Sequence, residues 1–143
     1  MIQMALKKLT PNLMVDDVND TIRFYKDVLG FEFVMAVPKN SQEVLMEIPK
    51  DRQLIYAMMK NGNVELMFQE KSSLSEDVPA LKGFEIGGTV TFYVEVENVE
   101  ELFAKLKEKV EIVKELHTTF YGMQEFYLKD CNGYILCFSE ERK

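Results

Sequence analysis

Thr10, Asn12 and Met14 alternate with Leu13 and Val15, the two-residue period of a half-buried strand. From Asp17 onward the period lengthens to that of a helix. Asp17 is placed to cap it, with Asp20 as a short capping-box partner, and Val18, Ile22, Tyr25 and Leu29 recur along one face. Gly30 supplies a left-handed stop, and Phe31 opens the next strand.

The same pattern returns in the second half. Thr91, Tyr93 and Glu95 alternate with Phe92, Val94 and Val96; Asn98 and Glu101 form a capping box; Val99, Leu102, Phe103 and Leu106 make an apolar helix face; and the apolar run "VEIV" follows. Val15-x-x-Val18 superposes on Val96-x-x-Val99, so the chain is internally duplicated. Each half continues into a hairpin, "LIYAMMKNGNVELMFQE" around Asn61-Gly62 and "MQEFYLKDCNGYILCFSE" around Asn132-Gly133. The Ser-, Gly- and Pro-containing stretch between them is a connection. The expectation is one α+β domain of two βαβββ modules, residues 6–70 and 89–141, joined by a linker at 71–88. Residues 41–51 either extend a strand or protrude as a loop.

A helix covers one face of each sheet, and alternation says which side chains occupy the other. Val64, Leu66 and Phe68 are expected to face the helix, leaving Glu65 and Met67 opposite. Leu136 and Phe138 face the second helix, leaving Ile135, Cys137 and Ser139 opposite. Two such faces side by side would make a concave cup, with the helices outside.

Composition narrows what the cup holds. With 143 residues, 47% hydrophobic and 29% charged, the chain suits one soluble domain. Apolar runs are too short to span a bilayer, and the first residues lack signal-peptide order, so no membrane partner and a cytoplasmic location are expected. A net charge of −7 disfavours nucleic acid and favours neutral or cationic ligands. Cys131 and Cys137 have no metal-finger spacing and are expected as free thiols. Phosphate-loop, dinucleotide, nucleophile-elbow and HExxH motifs are all missing.

"NLMVDDVNDTIRFYKDVLGFEF", "TFYVEVENVEELFAKL" and "FYLKDCNGYILCFSE" resemble the vicinal oxygen chelate superfamily, which includes glyoxalase I, extradiol dioxygenases, fosfomycin-resistance enzymes and bleomycin-resistance proteins. The likeness runs from about Leu9 to Glu140. It implies four cup positions where metal-using members carry His or Glu, and these fall on Thr10, Glu65, Thr91 and Cys137. Only Glu65 keeps a family ligand type, so no metal or other cofactor is expected. His117, the sole histidine, is expected in a loop outside those positions, as an ordinary exposed side chain. "FYGMQEFYLKD" is similar to the bleomycin-resistance branch, whose members bind without chemistry.

The resulting expectation is a metal-independent small-molecule binding protein that sequesters an antibiotic-like or aromatic cationic compound. Glu65 and Glu95 supply negative charge; Met14, Met67, Tyr93 and Tyr121 supply apolar walls; Thr10, Asn12 and Thr91 supply hydrogen bonds; and Met123 and Cys137 complete the lining. Cys137 is expected to be inert. A homodimer is expected, because cups in the superfamily are often completed across a two-fold axis. The alternative is a divergent metal-dependent glyoxalase- or dioxygenase-like lyase.

Overall fold

The computed structural model describes residues 4–142. Module one comprises β1 (Asn12–Val15), α1 (Val18–Asp27), β2 (Glu32–Pro38), β3 (Leu54–Asn61) and β4 (Val64–Glu70). After it come α2 (Lys71–Asp77) and a 3-10 turn (Pro79–Leu81). Module two comprises β5 (Thr91–Glu95), α3 (Val99–Leu106), β6 (Glu111–Thr118), β7 (Met123–Lys129) and β8 (Ile135–Glu141). The first sheet runs β1-β4-β3-β2 and the second β5-β8-β7-β6, and in each the first two strands are parallel and the rest antiparallel. The repeated order is the duplication made visible: an α+β fold of two curved, open, mixed sheets.

Local chemistry sets the elements in module one as the pattern predicts. Asp17 Oδ1 accepts from the Asp20 N–H at 2.9 Å and so satisfies one of the free donors at the start of α1. Gly30, at φ +72°, turns the chain so that the Phe31 N–H reaches the Tyr25 carbonyl at 2.8 Å.

Module two differs at one expected feature. Asn98 adopts φ +58° and makes no side-chain cap; instead Glu140, from β8, accepts from the Asn98 and Val99 N–H groups at 2.8 and 3.0 Å. A long-range carboxylate thus replaces the capping box, and its charge suits the positive end of α3. The linker also holds more structure than its composition suggests, since Glu70 caps α2 through the Ser72 and Ser73 N–H groups. Residues 41–51 form a loop tied to β2 by a bridge between Ala36 and Leu45.

Both helix-covered sheet faces contribute to one core. Tyr25, Phe31 and Phe68 meet edge-on or tilted at one end, with ring centroids 4.8–5.2 Å apart, while Phe126 packs on Phe103 and Phe138 at the other. The β7–β8 turn fastens the modules together. Tyr25 Oη donates to buried Asp130 at 2.6 Å, Asn132 Nδ2 donates to Thr21 Oγ1 at 3.0 Å, and Tyr134 Oη donates to the Met14 carbonyl at 2.7 Å. Asp130 also takes the N–H groups of Asn132 and Tyr134, so the turn and the contact share one carboxylate.

Candidate functional site

The expected site residues fall into three places rather than one cup. β5 is an edge strand with no second ladder partner among the described residues, and a cleft of about 1040 Å³ opens beside it, lined also by the β3–β4 turn and the start of β4. Glu65, Thr91, Tyr93 and Glu95 line it together with apolar groups that include Phe31, Leu66 and Phe138. On the free face of sheet one, Thr10 Oγ1 lies 3.4 Å from Glu65, and Asn12 Nδ2 donates to Gln69 at 2.9 Å. Gln69 in turn donates to Ser73 and Asp77 of α2, so this end of the face is sealed and Asn12 is already engaged. Met14 lies buried beside it.

The strand register adds a row that alternation in β4 alone does not reveal. Met35, Met58 and Met67 stand directly opposite one another across β2, β3 and β4. Their soft, adaptable side chains make an apolar wall. Glu65, the expected anchor for a cation, already has one: Lys8 Nζ lies 2.8 Å from its Oε1. The hydrogen bond from Lys8, opposed by partial burial, holds the Glu65 carboxyl below the usual carboxylate range.

The densest constellation lies on the free face of sheet two. Glu125, on β7, is 2% exposed although the face itself is open. Tyr93 Oη donates to its Oε2 at 3.0 Å, and the Tyr121 and Tyr127 hydroxyls stand 3.4 and 3.5 Å from Oε1. His117 Nε2 lies 3.7 Å from the same Oε1. The rings of His117 and Tyr127 run parallel, 8° apart, with centroids separated by 6.5 Å. Tyr93 and Tyr121 remain 48% and 57% exposed, so the ring of hydroxyls opens to solvent.

Ser139 and Cys137 form the floor. Ser139 pairs with Glu125 across the β7–β8 ladder and is fully buried, and its hydroxyl oxygen comes near Tyr93 without reaching hydrogen-bond geometry. Burial, with the Glu125 charge behind it, pushes the Cys137 thiol up to about 11, so it is not a ready thiolate at neutral pH. Burial and Cys137 raise the Tyr127 hydroxyl to about 12, which keeps it a donor.

His117 is therefore not a loop residue: it lies on β6, opposite Glu125. Glu125 and Tyr127 are site residues that the sequence reading does not include, although Met123, two residues before Glu125 on β7, is among its cup-lining residues. The same two-residue period carries Glu125 and Tyr127 onto that face as well.

Among the described residues, no group of three or more His, Cys, Asp and Glu side chains is placed to hold a metal ion. The positions corresponding to the family's ligands offer two hydroxyls, one carboxylate tied to Lys8 and one buried thiol. That donor set does not fit a divalent metal. No helix among the described residues is long and apolar enough to cross a membrane.

The model of the glyoxalase/bleomycin resistance protein/dioxygenase superfamily matches residues 6–138. The chain belongs to this superfamily. The fold is shared with solved structures of low identity. A glyoxalase/bleomycin resistance protein/dioxygenase from Nocardioides is 17% identical at a TM-score of 0.71, covering 99% of this chain and 88% of that one. A superfamily member from Sphaerobacter thermophilus is 20% identical at 0.69, covering 97% and 100%. A protein of unknown function from Agrobacterium tumefaciens is 20% identical at 0.72, covering 97% of each chain. No curated protein matches the chain.

Proposed function

We propose that this superfamily member is a metal-independent small-molecule binding protein that takes an aromatic cation. The observation that carries the reading is Glu125: a carboxylate nearly removed from water, surrounded by tyrosines, on a sheet face open to solvent. A cation arriving there meets negative charge in a weakly screened setting and aromatic rings that favour it further. The methionine row on sheet one is an apolar wall of the kind that accepts flat ligands. Glu65 is a weaker anchor than alternation implied, because Lys8 neutralises it.

A second copy is part of the proposal. The free edge of β5 flanks a cleft with apolar walls, and an unpaired edge of this kind is normally covered. Sedimentation at tens of micromolar should show a particle of twice 16.6 kDa, and a single 16.6 kDa species would overturn this element.

The binding experiment compares cationic and neutral versions of one aromatic scaffold by calorimetry. Glu125→Gln should cut cation affinity about ten- to a hundred-fold, the worth of a charge-assisted hydrogen bond, while Glu65→Gln leaves the preference in place. Equal binding of both scaffolds by the unaltered protein would reject the reading.

A further inference from the structure

The Glu125–His117 pair sets two hydrogen-bonding atoms side by side, and their chemistry defines an occupant. His117 Nδ1 is 2.7 Å from the Glu115 carbonyl oxygen, which can only accept, so Nδ1 carries a proton. In the neutral imidazole, Nε2 is then an acceptor, and it lies 3.7 Å from Glu125 Oε1. Two acceptors facing each other at that distance leave the space between them short of a donor. A nitrogen about 2.9 Å from each would close the triangle with two ordinary hydrogen bonds.

The surroundings favour that nitrogen carrying positive charge. Tyr93 donates to Oε2 at 3.0 Å, whereas Tyr121 and Tyr127 reach Oε1 only at 3.4 and 3.5 Å and leave it capacity to accept more. The parallel Tyr127 ring walls one side of His117. The His117 side chain is 26% exposed while that of Glu125 is 3% exposed, so an entering group reaches the pair from the imidazole side.

We propose that the Glu125–His117 pair binds a ligand cation bearing at least two N–H donors, a primary ammonium or an amidinium, which bridges Glu125 Oε1 and His117 Nε2. A quaternary ammonium has no N–H to give and would meet the rings and the charge without the bridge. The inference rests on the cation-binding reading above and specifies its headgroup.

The test uses the full chain with benzylammonium, benzyltrimethylammonium and benzyl alcohol as probes, each titrated to millimolar concentration. Binding is followed by NMR, including the ¹⁵N signal of His117 Nε2. Benzylammonium should bind about ten-fold more tightly than its quaternary counterpart, the worth of one added hydrogen bond to a charged group, and it alone should shift the Nε2 resonance as that nitrogen becomes an acceptor. His117→Phe keeps a ring against Tyr127 and removes the acceptor, so the primary amine should then bind no better than the quaternary one. Glu125→Gln risks the fold, which is why the imidazole variant is the deciding one. If both cations bind equally and Nε2 does not move, the bridging inference fails while cation binding stands. If benzyl alcohol binds as well as either cation, or nothing binds, both fail.

Discussion

The two modules share one topology and diverge on their free faces. Sheet one presents methionines, with the Glu65 carboxylate tied to Lys8 and its far end closed by Asn12, Gln69 and α2. Sheet two presents a buried carboxylate among tyrosines and the only histidine. The helix-covered faces are alike, since Leu66 and Phe68 in one module correspond to Leu136 and Phe138 in the other. Duplication has kept the side that folds and let the open side drift. A residue's strand parity therefore says whether it belongs to the shared core or to the face on which the modules differ.

The largest expected effect tests that rule on adjacent residues. Phe68 is fully buried against Tyr25, whereas Met67 faces the open side of the same strand. Phe68→Ala should cost about 3–5 kcal/mol in urea unfolding, as truncations of buried aromatics do. Met67→Ala should cost less than half as much. Comparable losses would mean that the free face is core, and the division between the faces would collapse.

Next in size is the contact that joins the modules. Tyr25→Phe removes a 2.6 Å hydrogen bond to buried Asp130 and should cost about 1.5–3 kcal/mol, the range for bonds to charged groups. Its pH dependence has a definite sign. Burial, only partly offset by the Tyr25 bond and the turn's N–H groups, raises the Asp130 carboxyl above the ordinary aspartate range. The folded state thus holds a proton that the unfolded chain releases near pH 3.9. The group's contribution to stability is present in acid and is lost as pH rises from about 3.9 through its raised folded value. Unfolding midpoints followed across that window should fall with this slope in the native chain, and Asp130→Asn should flatten it. An opposite slope attributable to Asp130 would show the carboxylate to be better solvated than the structure indicates.

How much of this was legible in the sequence depends on how far each contact reaches. Alternation placed Leu66, Phe68, Leu136 and Phe138 inward, and Asp17 and Gly30 bounded α1, because each depends on its own neighbours. His117 escaped for a physical reason. β6 runs on past "VEIV" through "KELHT", a mainly polar stretch without the apolar alternation that marks a strand, so its outer half reads as loop although it is paired with β7. Glu125 and Tyr127 stand inside "FYGMQEFYLKD", but that stretch marks a likeness to a branch and assigns neither residue a role. That Glu125 matters depends on Tyr93 from another strand and on Tyr121 from a loop, neither of which local pattern brings together.

The smallest effect concerns the start of α3, where local pattern misled. Asn98 and Glu101 look like a capping box, yet Asn98 is left-handed at φ +58° and the donors go to Glu140. The two roles order substitutions differently. If Asn98 were a cap, Ser would replace it without loss and Gly would be slightly worse. In the left-handed conformation Gly is at ease, whereas Ser meets the clash that Cβ makes with the backbone there. Asn98→Gly should therefore be neutral or slightly stabilising, and Asn98→Ser should cost about 1 kcal/mol. At α1, by contrast, Asp17→Ser should be nearly silent, because there the side chain does accept from Asp20. Thermal unfolding of the three variants reads the order directly. Ser better than Gly at position 98 would return Asn98 to a capping role and make the helix starts of the two modules alike after all.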